Sequence, residues 1–168
     1  EAPTHVRTPE GAEWPITSQE LADDIARRHG TPLQMMQMKH GVFDEGTLSI
    51  LADITYSELC RLSGLPGEVR RFRPNVLLKL DGEVVPFAED AWVGGTMTFG
   101  EGPEAPIVGI TQRDVRCAMV NIHPDDARLS PELMKTCVTA NQNHAGVYAT
   151  ILRPGELKVG APVILESK

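Results

Sequence analysis

Apolar positions recur along this chain in short runs, and their spacing changes part-way. Leu21 and Ile25 share one face of a segment that predicts a helix. Thr17 stands as N-cap with Glu20 three residues on, and Ile16 and Leu21 are placed as a hydrophobic staple. Arg27, Arg28 and His29 suit the negative end of the dipole, and Gly30 and Pro32 stop the helix. Leu33 to Met38 and Leu48 to Leu51 read as short strands about a turn at Gly41 to Gly46. A second capping box, Thr55 with Glu58, opens a helix over about Tyr56 to Ser63, stapled by Ile54 and Leu59 and ended by Gly64 and Pro66. From Arg73 the pattern becomes short strands and turns. Val76 to Leu80 leads into an Asp81-Gly82 hairpin with Val84 to Phe87 as its return, followed by Thr96 to Phe99. Ile107 to Thr111 and Cys117 to Ile122 flank a charged turn at Gln112-Arg113-Asp114. Ser130 and Pro131 start a third helix running to about Ala140, Val147 to Leu152 is a strand, and Gly155 to Glu166 forms a last hairpin.

Strands at roughly ten-residue spacing with three helices interposed predict a mainly β domain with peripheral helices, an α+β arrangement closing wholly or partly into a barrel. Residues 1–16 read as irregular or edge structure. Residues 1–32 are expected to be an extension carrying one helix and packed on a domain that occupies 33–168. The length of 168 residues suits one domain with a real core. With aromatics at 5%, that core should be built from Val, Ile, Leu and Met. A net charge of -7 argues against a nucleic-acid partner. No apolar run approaches a membrane span, and the N-terminus has neither the basic nor the apolar part of a signal peptide. Cys60, Cys117 and Cys137 are widely spaced, so neither a disulfide scaffold nor a structural zinc site is expected, and an odd thiol count fits the cytoplasm. A start on Glu1-Ala2-Pro3 without Met suggests processing, a trimmed tag or a fragment.

The candidate chemistry lies between Arg70 and Cys117. Arg70, Arg71 and Arg73, followed by Pro74-Asn75, offer planar forks of donors for phosphate or carboxylate. Arg116 stands beside Cys117, and a thiolate in a basic setting serves as nucleophile or soft-metal ligand. The working expectation is that folding joins the two ends, so that arginines hold an anionic ligand against Cys117. Plainer readings stand beside it. Cys117 can be core at the start of an apolar strand, Arg70 to Arg73 a solvated turn, and Asn75 a turn residue. Thr55 at a helix start can receive an anion or act only as a cap. Cys60 and Cys137, in amphipathic helices, are assigned to packing, as are the methionines of Leu33 to Met38. Glu89 and Asp90, adjacent in sequence, suit an ion pair with an arginine better than paired acid–base work, and His123-Pro124-Asp125-Asp126 suits a surface turn. A phosphate loop, a Gly-x-Ser-x-Gly elbow and a His-Glu-x-x-His signature are all missing from the sequence.

Arg71-Phe72-Arg73-Pro74-Asn75, Phe87-Ala88-Glu89-Asp90-Ala91-Trp92, Arg116-Cys117, Gly146-Val147-Tyr148 and Gly160-Ala161-Pro162-Val163, in this order, resemble the MOSC domain family. That family includes the C-terminal domain of molybdenum cofactor sulfurases and the amidoxime-reducing proteins. The match runs from about residue 33 to the C-terminus. The resemblance implies a β-barrel-like fold and a molybdenum–pterin cofactor whose metal would be ligated by the residue matching Cys117. Arg71, Arg73, Asn75 and Arg116 would line the pocket, with Thr55 at a helix start nearby. It further implies reduction of N-oxygenated small molecules with electrons from a partner protein. The alternatives are sulfur transfer through a Cys117 persulfide formed with a cysteine desulfurase, or a non-catalytic cofactor-binding domain. His123 stands where the family's reductases usually have Asp, and Val115 where a small polar residue precedes Arg-Cys. The N-terminal barrel domain of the larger reductases is expected to be mostly missing.

Overall fold

The computed structural model describes residues 4–36 and 45–166, in two compact units, 1–42 and 43–168. The first holds an antiparallel pair, β1 (His5–Arg7) and β2 (Glu13–Pro15), and helix α1 (Gln19–His29). Of the two readings of this segment, irregular or edge structure, the pair favours strand. The cap of α1 is Ser18, not Thr17: its Oγ accepts from Leu21 N at 3.2 Å, and Gly30 ends the helix at φ 82°. Residues 33–36 form no strand, and Met35 and Met36 are exposed rather than packed. The rest of that expected strand and most of the Gly41 to Gly46 turn lie outside the described residues.

The second unit is a mixed six-stranded sheet, curled into a half-barrel, as a mainly β fold with peripheral helices requires. Its order is β4 (Val76–Leu78), β3 (Leu48–Ala52), β7 (His144–Arg153), β6 (Ile107–Val115), β5 (Thr96–Phe99), β8 (Val163–Glu166). Only β3 and β4 run parallel, joined by α2 (Asp53–Ser63) and a 3-10 turn at Val69–Phe72; the other pairs are antiparallel. Because β4 pairs with β3, Val84 to Phe87 is not its hairpin return. Because β8 pairs with β5, the final segment makes no hairpin of its own. A second 3-10 turn, Ala88–Trp92, follows β4, and α3 (Pro131–Asn141) precedes β7.

Alternation along β3 supplies both faces of the sheet. Ile50 and Ala52 enter a core with Trp92, Met97, Val108 and Val147, while Leu51 points the other way, to Leu59, Phe72, Val120, Leu133 and Cys137. The second core carries α2, α3 and the turns around the candidate site. Between Ala145 and Val147 the chain changes face, since the former belongs to the second core and the latter to the first. The change occurs at Gly146, φ 86°, where a Cβ would lie 2.5 Å from Ile50 O and 3.2 Å from Arg116 Nη2. Only glycine adopts that backbone at that separation without strain.

Gly146→Ala should therefore lower stability by about 2–4 kcal/mol, from left-handed strain and a forced backbone shift together. Gly100→Ala, at φ 90° with open space around its Cβ position, should cost only about 1–2 kcal/mol. Paired urea denaturation curves would separate the two, and equal losses would refute the backbone-clash argument.

Candidate functional site

A register shift between Arg113 and Val115 of β6 resets which side chains face inward. From there Asp114 and Arg116 are buried while Val115 and Cys117 are exposed, the ordinary two-residue alternation. Cys117 does not begin a strand, as the sequence suggested. It caps a third 3-10 turn, Ala118–Asn121, with its thiol in solvent. Gln112 to Asp114 is likewise strand, not turn.

The two arginine-bearing segments do meet. Arg116 donates from Nη1 to Phe72 O at 2.8 Å and from Nε to Ala145 O at 2.8 Å, with Nη2 also on Ala145 O. Its Nη2 pairs with Asp114 Oδ2 at 2.8 Å, and its guanidinium lies 5.5 Å from the Phe72 ring centre. Burial pulls its pKa down from the usual range, and Asp114 opposes that pull. The same Asp114 oxygen accepts from Ser49 Oγ at 2.7 Å. Ser49 in turn exchanges backbone bonds with Asn75: its N donates to Asn75 Oδ1 at 2.8 Å and its O accepts from Asn75 N at 2.9 Å. One polar chain thus links Asn75, Ser49, Asp114 and Arg116. Sequence reading missed Ser49 and Asp114; the one available signal was a polar residue at an inward position of an otherwise apolar strand.

Two of the guanidiniums, those of Arg71 and Arg116, turn into the protein. Arg71, buried, donates from Nη1 to Asn121 O at 2.9 Å and from Nη2 to Ser130 Oγ at 3.3 Å. Arg70 forks between Glu68 (Nη2–Oε2, 2.6 Å) and Asp125 (Nη2–Oδ2, 2.7 Å), holding both carboxyls below their usual pKa range. Single ligand atoms of Glu68, His123 and Asp125 lie within 4.8 Å of one another, the arrangement of a cation site, but Arg70 already supplies the cation. Arg113 pairs with Asp90 at 2.9 Å, the ion pair expected there. Arg73, exposed in a left-handed conformation, has no side-chain partner among the described residues.

Thr55 is sealed in rather than presented. The helix begins at Asp53, capped by Ala52 without a side-chain bond. Thr55 Oγ1 accepts from Phe87 N and donates to Glu89 Oε2, both at 2.7 Å. Burial raises the pKa of Glu89 from its ordinary value of 4.5, against the pull of its bond from Thr55. Instead of pairing with an arginine, Glu89 serves the helix start.

Beside Cys117 lies an open cavity of about 420 Å³, walled by Met119, Asn121, Ile122, Leu129 and Pro131. Ile122 and Leu129 face each other across an antiparallel bridge. Of the other thiols, Cys137 is buried and pushed up to about 11, and Cys60 is half-buried and also raised, both by desolvation. Burial disfavours the thiolate at both, and Cys117 is the exposed thiol of the three.

The MOSC domain model matches residues 27–164. The chain belongs to the MOSC domain family. Two solved structures show the same fold. YuaD from Bacillus subtilis is 16% identical at a TM-score of 0.58, over 76% of this chain and 67% of that one. YiiM from Geobacillus stearothermophilus is 19% identical at 0.53, over 71% of this chain and 54% of that one, so this chain spans about half its length. Comparison with the curated proteins finds no match. Among the described residues, no helix is long and apolar enough to cross a membrane.

Arg116→Met should destabilise this MOSC domain by about 3–5 kcal/mol, since it strands a buried carboxylate and two carbonyls. Arg73→Ala should stay within about 0.5 kcal/mol. Denaturation midpoints would reverse the assignment if Arg73 proved the costlier loss. For Glu89 the sign follows from a raised folded pKa. Its contribution is fully present below 4.5 and is lost as pH rises through the higher folded value. Stability should therefore carry a component that falls from about pH 4.5 upward and vanishes in Glu89→Gln; a wild-type profile superimposable on that of the variant would exclude it.

Proposed function

We propose that this MOSC domain binds a molybdenum–pterin cofactor through Cys117 and reduces N-oxygenated small molecules in the cytoplasm. The supporting observation is the position of Cys117: a solvent-facing thiol, on a backbone pinned by Arg116, at the rim of a cavity of ligand size. The residues fit the metal end of such a group well, because thiolate sulfur is the ligand that soft metals prefer. No charged side chain in the lining beside Cys117 meets its phosphate end, and the groups left for it stand outside that lining. Arg73 keeps a free guanidinium in solvent, and Asn75 keeps its Nδ2, having spent Oδ1 on Ser49. Arg71 and Arg116 serve by shaping the walls, Arg71 through the carbonyls of the third turn and Arg116 through Phe72 O. When bound, the cofactor supplies oxygen abstraction, releasing water at the expense of an electron pair and protons, with electrons from a separate protein.

The full chain from a cofactor-competent host should carry about one molybdenum per chain, and Cys117→Ser should lose it. Metal analysis showing none in the wild type, or retention in the variant, would remove the assignment. The exposure of Cys117 against the burial of Cys137 also favours a second reading, sulfur transfer through a Cys117 persulfide. Incubation with a cysteine desulfurase and a sulfur source should then add a labile mass of about 32 Da at Cys117. An adduct confined to Cys60 or Cys137 would count against it.

A further inference from the structure

The cavity at Cys117 differs in character from the arginine-lined cradle that the sequence suggested. Its wall is apolar, with Met119 at 46% and Leu129 at 66% exposure, and no ionisable side chain but the Cys117 thiol lines it. Asn121 is the remaining polar contributor. Its Oδ1 is spent on Met134 N at 3.0 Å, and its Nδ2 has no partner among the described residues.

The wall is also held in place. Ser130 N donates to Asn121 O at 2.8 Å and His123 N to Arg128 O at 2.9 Å, so Ile122 and Leu129 sit side by side on a short ladder. Arg71 grips the carbonyl of Asn121 from within. Paired residues of an antiparallel bridge present their side chains on one side, so the two form a continuous apolar surface.

A charged group entering such a space gives up its water without a counter-charge, whereas an aryl or branched alkyl group gains by leaving water. We infer that this cavity binds the uncharged, apolar end of the small-molecule substrate and holds it beside Cys117 Sγ. The inference deepens the proposed function, and it rests on the reading that Cys117 carries the chemistry. The wall offers an anionic substrate no counter-charge, even though Arg116 and Arg128 stand beside it in sequence.

The test uses one electrophile in two charge states on the full chain, made in a host lacking the cofactor so that the thiol is free. N-phenylmaleimide and N-(4-carboxyphenyl)maleimide share a reacting group and differ in a carboxylate. Labelling rates at Cys117 would be followed by peptide mass spectrometry, each divided by the same reagent's rate with glutathione. The neutral probe should be favoured by about tenfold or more. Leu129→Asp and, independently, Met119→Glu should each abolish most of that preference. Equal rates, a preference for the carboxylate, absence of labelling at Cys117, or a preference unchanged in both variants would overturn the inference. The probes need no metal, so a tenfold preference upholds the cavity assignment even where metal analysis refutes the molybdenum reading.

Discussion

A single buried guanidinium holds this domain's site together. Arg116 reaches from the end of β6 to a carbonyl on β7 and to another at the end of the first 3-10 turn. Those partners lie 29 and 44 residues away in sequence. Arginine suits the task because its charge survives burial and its fork satisfies several acceptors at once. Asp114 neutralises it, and Ser49 and Asn75 extend the network to the edge of the sheet. A network of this kind in low dielectric stabilises only when its members are present together. The two segments that resemble the family in sequence are thus joined physically, by a side chain that is itself unavailable to a ligand.

Glu89 performs a parallel task at the start of α2. The N-cap of α2 is Ala52, whose methyl group cannot accept a hydrogen bond. The Glu89 carboxyl, brought by the second 3-10 turn, accepts from Thr55 Oγ1 and from Ala52 N (3.5 Å) instead. An acidic group at a helix N-terminus is favoured by the exposed N–H dipoles, which offsets part of its desolvation. Thr55 in turn receives Phe87 N, so one hydroxyl fixes both the helix start and the entry to the turn.

How far the site could be read from sequence depends on what each signal reports. Local signals placed most helix ends, though not the first cap: Gly30 and Gly64 do end helices in left-handed conformations, and Pro131 does open α3, while Ser18 rather than Thr17 caps α1. They misled where a distant partner took the group. The Thr55–Glu58 spacing suggested a capping box, but Glu89 claims the hydroxyl and the helix starts three residues earlier. Asp81-Gly82 suggested a hairpin, but β4 pairs in parallel with β3, a crossover no turn residue announces. The joining of Arg70–Arg73 to Arg116–Cys117 was legible, because guanidiniums and a thiol in two clusters suggest one site. The inward turn of Arg71 and Arg116 was not, because the carbonyls they satisfy are backbone atoms and leave no trace in composition.

The direction matters for what the thiol can do. Arg116 N donates to Asn143 O at 2.8 Å and Asn143 Nδ2 returns to Arg116 O at 2.7 Å, while Val120 N closes on Cys117 O at 3.3 Å. The backbone on both sides of the sulfur is therefore fixed before anything binds. Strand alternation turns Arg116 inward as an anchor and Cys117 outward as the working group, so rigidity and access come from adjacent residues. Freeing the arginine to grip a ligand would unpin the thiol it positions. A site built this way has to draw selectivity from its wall rather than from its charges, and the wall at Cys117 is apolar.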